Sequence, residues 1–309
     1  MMPASLYPDF YILGAQKSGT TSLCALLEQH PQLCLSRPKE PMILSRDDIA
    51  LHPHFFAEQQ AQWDKLDWHE HRDTFLKDYA NCFAHATEAQ LLGDGSTSYL
   101  YSMTAPERIK TITPNAKFII ILRDPVARAY SAYWHFVKKG LACEPFASHI
   151  RYEHTLTLDG SAYSRHIARW LTAFPREQFL FLCYEEMLEN VEATATQLAD
   201  FLAIDPWHTP ELPEKNRGRR PKWLWLQLMA NYARRRAGIL ISATGEETTP
   251  RGHPLCRSLI GELTHRNLTT APPPPMDELL QARLTRYFRD INRELNTQTG
   301  LDTTRYWYQ

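Results

Sequence analysis

Apolar residues run along this chain in short unbroken blocks, set between stretches whose apolar positions recur at helical spacing. Phe10-Tyr11-Ile12-Leu13 is one block, Lys117-Phe118-Ile119-Ile120-Ile121-Leu122 a second, and Phe179-Leu180-Phe181-Leu182-Cys183-Tyr184 a third. Blocks that do not alternate with polar residues suit strands covered on both faces. A further strand is expected near Gly93. Leu23, Leu26 and Leu27 fall at helical spacing, which predicts a helix over Thr20–His30, ended by Pro31. Helices are also expected over Val126–Lys138, Arg165–Ala173 and Val191–Leu202. Strands alternating with helices predict an α/β fold of three layers, a parallel sheet with helices on both faces. Ligands of such sheets bind beyond the carboxyl ends of the strands. Gly14–Thr21, Arg123–Ser131 and Tyr184 all fall there.

The remaining stretches are less regular. Residues 46–92 are polar and rich in His, Trp and Gln, and are predicted to be mostly helical with no clear strand. Pro213–Pro221 (PEKNRGRRP) reads as a basic loop, and residues 234–258, rich in Arg, Thr, Gly and Pro, as a mobile insert. Pro272–Pro275 is a stiff linker into a last helix, Met276–Leu295. "KWLWLQLM" (Lys222–Met229) reads as core packing or as a lining of an acceptor pocket, with a membrane-surface or dimer helix as the alternatives. No internal repeat is present, and one domain over residues 1–309 is expected.

Composition narrows the functional classes. The chain has 309 residues, 43% of them hydrophobic, and a formal net charge of -1, as expected of a globular protein. Near-neutrality argues against a nucleic-acid-binding surface. The first residues lack a basic and an apolar region of signal-peptide type, and no stretch has the length of a membrane-spanning helix. The six cysteines form no C-x-x-C pair. They are expected to be reduced thiols of a cytoplasmic protein.

The candidate chemistry begins at "GAQKSGTT", Gly14–Thr21. It follows the first apolar block and precedes a helix, the layout that aims backbone N–H groups and a helix dipole at an anion. A Walker A loop would place Lys directly after its second Gly; here Lys17 precedes Gly19 by two residues. The segments "AQKSGTTSL" and "IIILRDPVARAYSAYWH", joined by "RPKEPM", "GDGSTSYL" and "FLFLCYEEM" in that order, resemble the sulfotransferase family, and its bacterial and glycan-type branch in particular. So does the ending "LTRYFRDINRELNTQTGLDTTRYW". The resemblance covers residues 9–220 and 276–307.

That resemblance implies a P-loop nucleotide-kinase-like fold and the co-substrate 3′-phosphoadenosine 5′-phosphosulfate (PAPS), with adenosine 3′,5′-bisphosphate (PAP) as product and no metal. It makes Lys17, with Ser18, Gly19, Thr20 and Thr21, the 5′-phosphate site. Arg123 and Ser131 become the 3′-phosphate clamp, and a dianionic phosphate does suit a forked guanidinium and a hydroxyl. Tyr184 is expected near the adenine, or else as a core tyrosine, and Arg219 in the basic loop over the 3′-phosphate. Arg128 reads as structural.

Glu40 matches the glutamate base of glycan sulfotransferases, a role a carboxylate fills well when burial raises its pKa. The alternative for Glu40 is a surface ion pair with Lys39. The sequence departs from the family at Met42-Ile43-Leu44, where relatives often have His and aromatics, and at Gly95, where some have Lys. Both departures lie on the acceptor side, so the acceptor stays open between a small molecule and a glycan, at a hydroxyl or an amine. Asp94, His52 and His54 are reserve bases. The H-x-H pairs His52/His54 and His69/His71 lack a completing ligand set for metal. A homodimer is among the expected partners. The competing functions are a nucleotide kinase or NTPase, which the displaced Lys17 and the Arg at the end of the second apolar block disfavour, and a non-catalytic PAP-binding regulator.

Overall fold

The computed structural model describes residues 7–48, 67–88, 90–152, 156–212, 220–236 and 264–308, together with 51, 240–241, 247–248 and 262. These residues fall into two compact units. One comprises residues 1–124, 162–214 and 289–309, and the other residues 125–161 and 215–288.

The first unit is built on five strands: β1 (Phe10–Gly14), β2 (Leu33–Leu35), β3 (Leu91–Asp94), β4 (Lys117–Leu122) and β5 (Phe179–Cys183). They pair in the order β2-β3-β1-β4-β5, and every pairing is parallel. The expected three-layer α/β architecture is therefore present. Its physical basis is the period of two along each strand. Phe10 and Ile12 face one core with Ile119, Ile121 and Leu182. Tyr11 and Leu13 face the other with Phe118, Ile120, Phe179 and Phe181. Neither face is left to water, so the blocks read as continuous apolar runs.

Helices supply the rest of the first of these cores, Met187 of Tyr184–Glu189 among their residues. Helix α1 (Thr20–Leu27) contributes Leu23, Leu26 and Leu27, and the helix Val191–Leu202 contributes Leu198 and Leu202. Burying each of these leucines contributes about 1.5–3 kcal/mol. The other core takes Phe75 and Tyr79 from the helix Trp68–Asn81, Ile109 from Ala105–Ile112, and Ile167 and Trp170 from Tyr163–Ala173. Phe118 sits at its centre, with ring centroids of Phe174, Phe179, Trp170 and Tyr11 at 4.5, 4.9, 5.4 and 5.8 Å.

Several expectations need correction. The helix predicted to run to His30 ends at Leu27. Strand β2 was not foreseen: with only three residues, Leu33–Leu35 carries too short a pattern to separate from the apolar helix before it. Tyr184 does not end β5; it opens the helix Tyr184–Glu189. The last helix is two pieces, Glu278–Ile291 and Leu295–Thr299.

The second unit contains the helices Pro125–Lys139, Phe146–Tyr152 and Leu224–Arg236 and a short antiparallel pair, Arg220–Pro221 with Leu268–Thr269. The segment expected to be an insert from residue 234 is still helical to Arg236; most of residues 237–258 lie outside the described residues. Arg128 is 1% exposed and donates to the carbonyls of Leu156 (2.7 Å) and Thr157 (3.0 Å), the structural part expected of it. Asn231 donates to the carbonyls of Val137 (2.9 Å) and Ala142 (2.7 Å), which fastens Leu224–Arg236 onto the end of Pro125–Lys139. "KWLWLQLM" packs only in part: Gln227 and Leu228 are buried, while Trp223, Trp225 and Met229 are exposed. Among the described residues, no helix is long and apolar enough to cross a membrane.

Candidate active site

The loop between β1 and α1 is held from below. The amide of Ala15 donates to Ile121 in β4 (2.8 Å), that of Gln16 to the Tyr101 hydroxyl (3.2 Å), and that of Ser18 back to Ala15 (3.1 Å). Lys17 and Gly19 have left-handed backbones, with φ of 68° and 86°. That conformation is strained for a lysine, at a cost of order 1–3 kcal/mol, and persists where surrounding contacts over-determine it. Alternating backbone hands of this kind turn successive N–H groups into a concavity that accepts an anion. At Gly19 a side chain would collide with the Tyr184 ring. The amides of Gly19, Thr20 and Thr21 then open α1, where N–H groups have no partner within the helix. The Ser18 hydroxyl is buried in this loop and makes no hydrogen bond.

Arg123 leaves the end of β4 and crosses to the same loop. Its guanidinium donates to the Lys17 carbonyl (3.3 Å) and lies 5.0 Å above the Tyr184 ring. Its own carbonyl accepts from the Tyr163 hydroxyl (2.9 Å). Next to Tyr184 in the chain, Glu185 accepts from the Asp124 amide (3.0 Å) and from the indole of Trp307 (3.0 Å). Lys17, Ser18, Gly19, Arg123 and Tyr184 thus form one constellation at the carboxyl ends of β1, β4 and β5. Tyr184 is the shelf under both Gly19 and Arg123.

The Glu40 segment reaches this constellation from β2. The Ser36 amide donates to Gly93 (2.9 Å), the Ser36 hydroxyl to the Lys39 carbonyl (3.2 Å), and the Met42 amide to the Ser96 hydroxyl (2.9 Å). Glu40 accepts from the Thr97 hydroxyl (3.1 Å) and pairs with Lys39 at 3.6 Å; the two side chains are 33% and 32% exposed. The Lys39 ammonium also donates to the Thr21 hydroxyl (3.0 Å). A continuous polar chain, Thr21–Lys39–Glu40–Thr97, therefore joins the loop helix to the carboxylate. Sequence reading left out Thr97 and gave Lys39 only as Glu40's surface partner.

Asp94, a reserve base, is fully buried at the end of β3. It accepts from the Tyr79 hydroxyl (2.5 Å) and the Ser96 amide (2.8 Å), and burial pushes its carboxyl up to about 6. Its place is beneath the Ser96–Thr97 turn that holds Glu40. Cys24, behind the loop, has its thiol pushed up to about 12 by burial, against the opposing charge of Lys39.

Ser131 lies half-buried in the helix Pro125–Lys139, in the second unit. Arg219, His52 and His54 lie outside the described residues. His69 and His71 are in the helix Trp68–Asn81, whose Asp67 cap receives the His69 amide. Among the described residues no group of three or more His, Cys, Asp and Glu could hold a metal ion.

Residues 8–209 match the family model described as the Sulfotransferase family. The chain belongs to the sulfotransferase family. The chain is 27% identical over 305 residues to the mouse (Mus musculus) bifunctional heparan sulfate N-deacetylase/N-sulfotransferase 3, with 94% of the chain aligned to 29% of that protein's length. It is 24% identical over 305 residues to the mouse heparan sulfate glucosamine 3-O-sulfotransferase 6, covering 96% of the chain and 73% of that protein. A sulfotransferase from Alicyclobacillus acidocaldarius has a similar fold, with a TM-score of 0.65 at 20% identity, covering 96% of this chain and 98% of that one.

Proposed function

We propose that the chain transfers a sulfuryl group from PAPS to a hydroxyl of a glycan or small-molecule acceptor and releases PAP. The observation that carries this reading is the loop itself. A buried Ser18 hydroxyl without a partner, left-handed backbones at Lys17 and Gly19, and the start of α1 converge where the Arg123 guanidinium reaches the loop. Such a donor set fits a phosphate ester.

In the proposed reaction Glu40 takes the acceptor proton, the acceptor oxygen forms its bond to sulfur, and the bond from sulfur to the phosphate oxygen breaks. Lys17 and the loop amides hold the charge that grows on the departing phosphate. Ser18, Thr20 and Thr21 supply hydroxyl donors. Arg123, Ser131 and Arg219 take the 3′-phosphate, and Tyr184 supports the nucleotide side. No metal is assigned a part. An amine acceptor is the alternative, since the relatives' names include both an N- and an O-sulfotransferase of heparan sulfate. The free cysteines Cys24, Cys34, Cys82, Cys143 and Cys183 support a reducing, cytoplasmic setting.

The test is calorimetric titration with PAP, against ATP with Mg²⁺, on wild type, Lys17→Ala and Arg123→Ala. Metal-independent PAP binding, weakened by about 1.5–3 kcal/mol in each variant, is expected. Response to ATP–Mg²⁺ alone would replace this reading with a kinase. Glu40→Gln should retain PAP binding and lose turnover; full turnover would remove Glu40 from the mechanism.

A further inference from the structure

Lys39 stands where a cation is electrostatically misplaced. The N-terminus of a helix carries a partial positive charge that favours anions and disfavours cations. Yet the Lys39 ammonium is brought to the first turn of α1, 3.0 Å from the Thr21 hydroxyl. Its position is built, not accidental. The Ser36 hydroxyl holds the Lys39 carbonyl at 3.2 Å. Gly95 leaves room beside it: a side chain there would come within 3.1 Å of the Lys39 carbonyl and 3.8 Å of its Cγ. Adding Lys39 to a helix N-terminus already flanked by Lys17 and Arg123 raises the local positive potential. The carboxylate of Glu40, 3.6 Å away, offsets part of it. The Ser18 hydroxyl in the same loop, buried and without a hydrogen-bond partner, points independently to a ligand oxygen here.

We propose that Lys39 is a further binding residue of the phosphate loop, shared between the incoming anion and Glu40. This rests on the PAPS reading above and adds a residue to that site. The consequence is a linkage: Glu40 and the nucleotide phosphate compete for one ammonium. When the anion holds Lys39, Glu40 keeps only the Thr97 hydroxyl of its present partners. A carboxylate that has given up a cation is a better proton acceptor, so loading of the donor site prepares the base.

The linkage is read from PAP affinity, without turnover. Lys39→Met should weaken PAP binding by about ten- to a hundredfold, as expected for a lost charge-assisted contact. Lys39→Arg should recover most of it. Glu40→Gln should tighten PAP binding by about two- to fivefold, the size of an exposed ion pair's competition. In the Lys39→Met background that gain should disappear. Melting temperatures of the same variants separate a binding effect from loss of fold, since Lys39→Arg and Lys39→Met should melt alike. If wild type binds PAP and Lys39→Met binds it equally well, the role of Lys39 is refuted and the PAPS reading stands. If Glu40→Gln tightens binding as much with Met at position 39 as with Lys, the sharing is refuted. A wild-type chain that does not bind PAP overturns both.

Discussion

Replacing Asp94 by Asn removes a charge from a site that water does not reach. Asp94 is 0% exposed, and burial raises its carboxyl from 3.8 to about 6. A carboxyl raised on folding binds its proton more tightly in the native state than in the unfolded one. It is harmless below the unfolded value and costs stability as pH rises, with the full cost reached above the folded value. The full cost is about 3 kcal/mol, from a little over two pH units at 1.36 kcal/mol each. Asn can keep the Ser96 amide on its oxygen, and its NH₂ meets the Tyr79 hydroxyl with the direction of that bond reversed; this costs the variant a constant amount that does not depend on pH. The assay is urea unfolding of wild type and Asp94→Asn at matched pH values. The variant's stability relative to wild type should rise by about 2 kcal/mol between pH ~4.5 and pH ~7.5. All other titrating groups are common to both proteins and cancel. A relative stability that is flat across that window would refute the reasoning and place the Asp94 proton elsewhere.

Other outcomes follow from the same geometry. Phe118→Ala should cost about 3–5 kcal/mol of unfolding free energy, measured by denaturant titration, because four aromatic neighbours lose their common partner. Gly19→Ala should abolish PAP binding in calorimetry while the fold survives by circular dichroism, since the new methyl meets the Tyr184 ring in a backbone of φ 86°. Asn231→Leu should destabilise the second unit by about 1–3 kcal/mol in thermal unfolding, because it strands the Val137 and Ala142 carbonyls.

The legible parts of the sequence were those where one physical signal acts alone. Lys117–Leu122 is apolar throughout because both faces of β4 are covered, and its boundaries are the expected ones. Val191–Leu202 likewise carries an uncompromised helical period and an Asn190 cap. The loop Gly14–Thr21 announced itself through glycines and a lysine at fixed spacing. Less legible were features made by residues far apart in the chain. Strand β2 exists because β3 pairs with it, and Gly93 is placed for that neighbour. Lys39 could be quoted beside Glu40, but its reach to Thr21 depends on a serine at 36 and a glycine at 95. Nothing in "GDGSTSY" foretells that Asp94 takes the Tyr79 hydroxyl from a distant helix.

The Glu185 carboxylate gathers the Asp124 amide, the Cys183 thiol and the Trp307 indole, the last across 122 residues. Trp307 is 1% exposed and packs against Tyr163. The indole thus acts as a keystone: a residue from the far end of the chain closes the end of β5 by filling the third position on one carboxylate. Trp307→Ala should destabilise the first unit by about 3–5 kcal/mol in urea unfolding, because the Tyr163 ring loses its cover and Glu185 a donor.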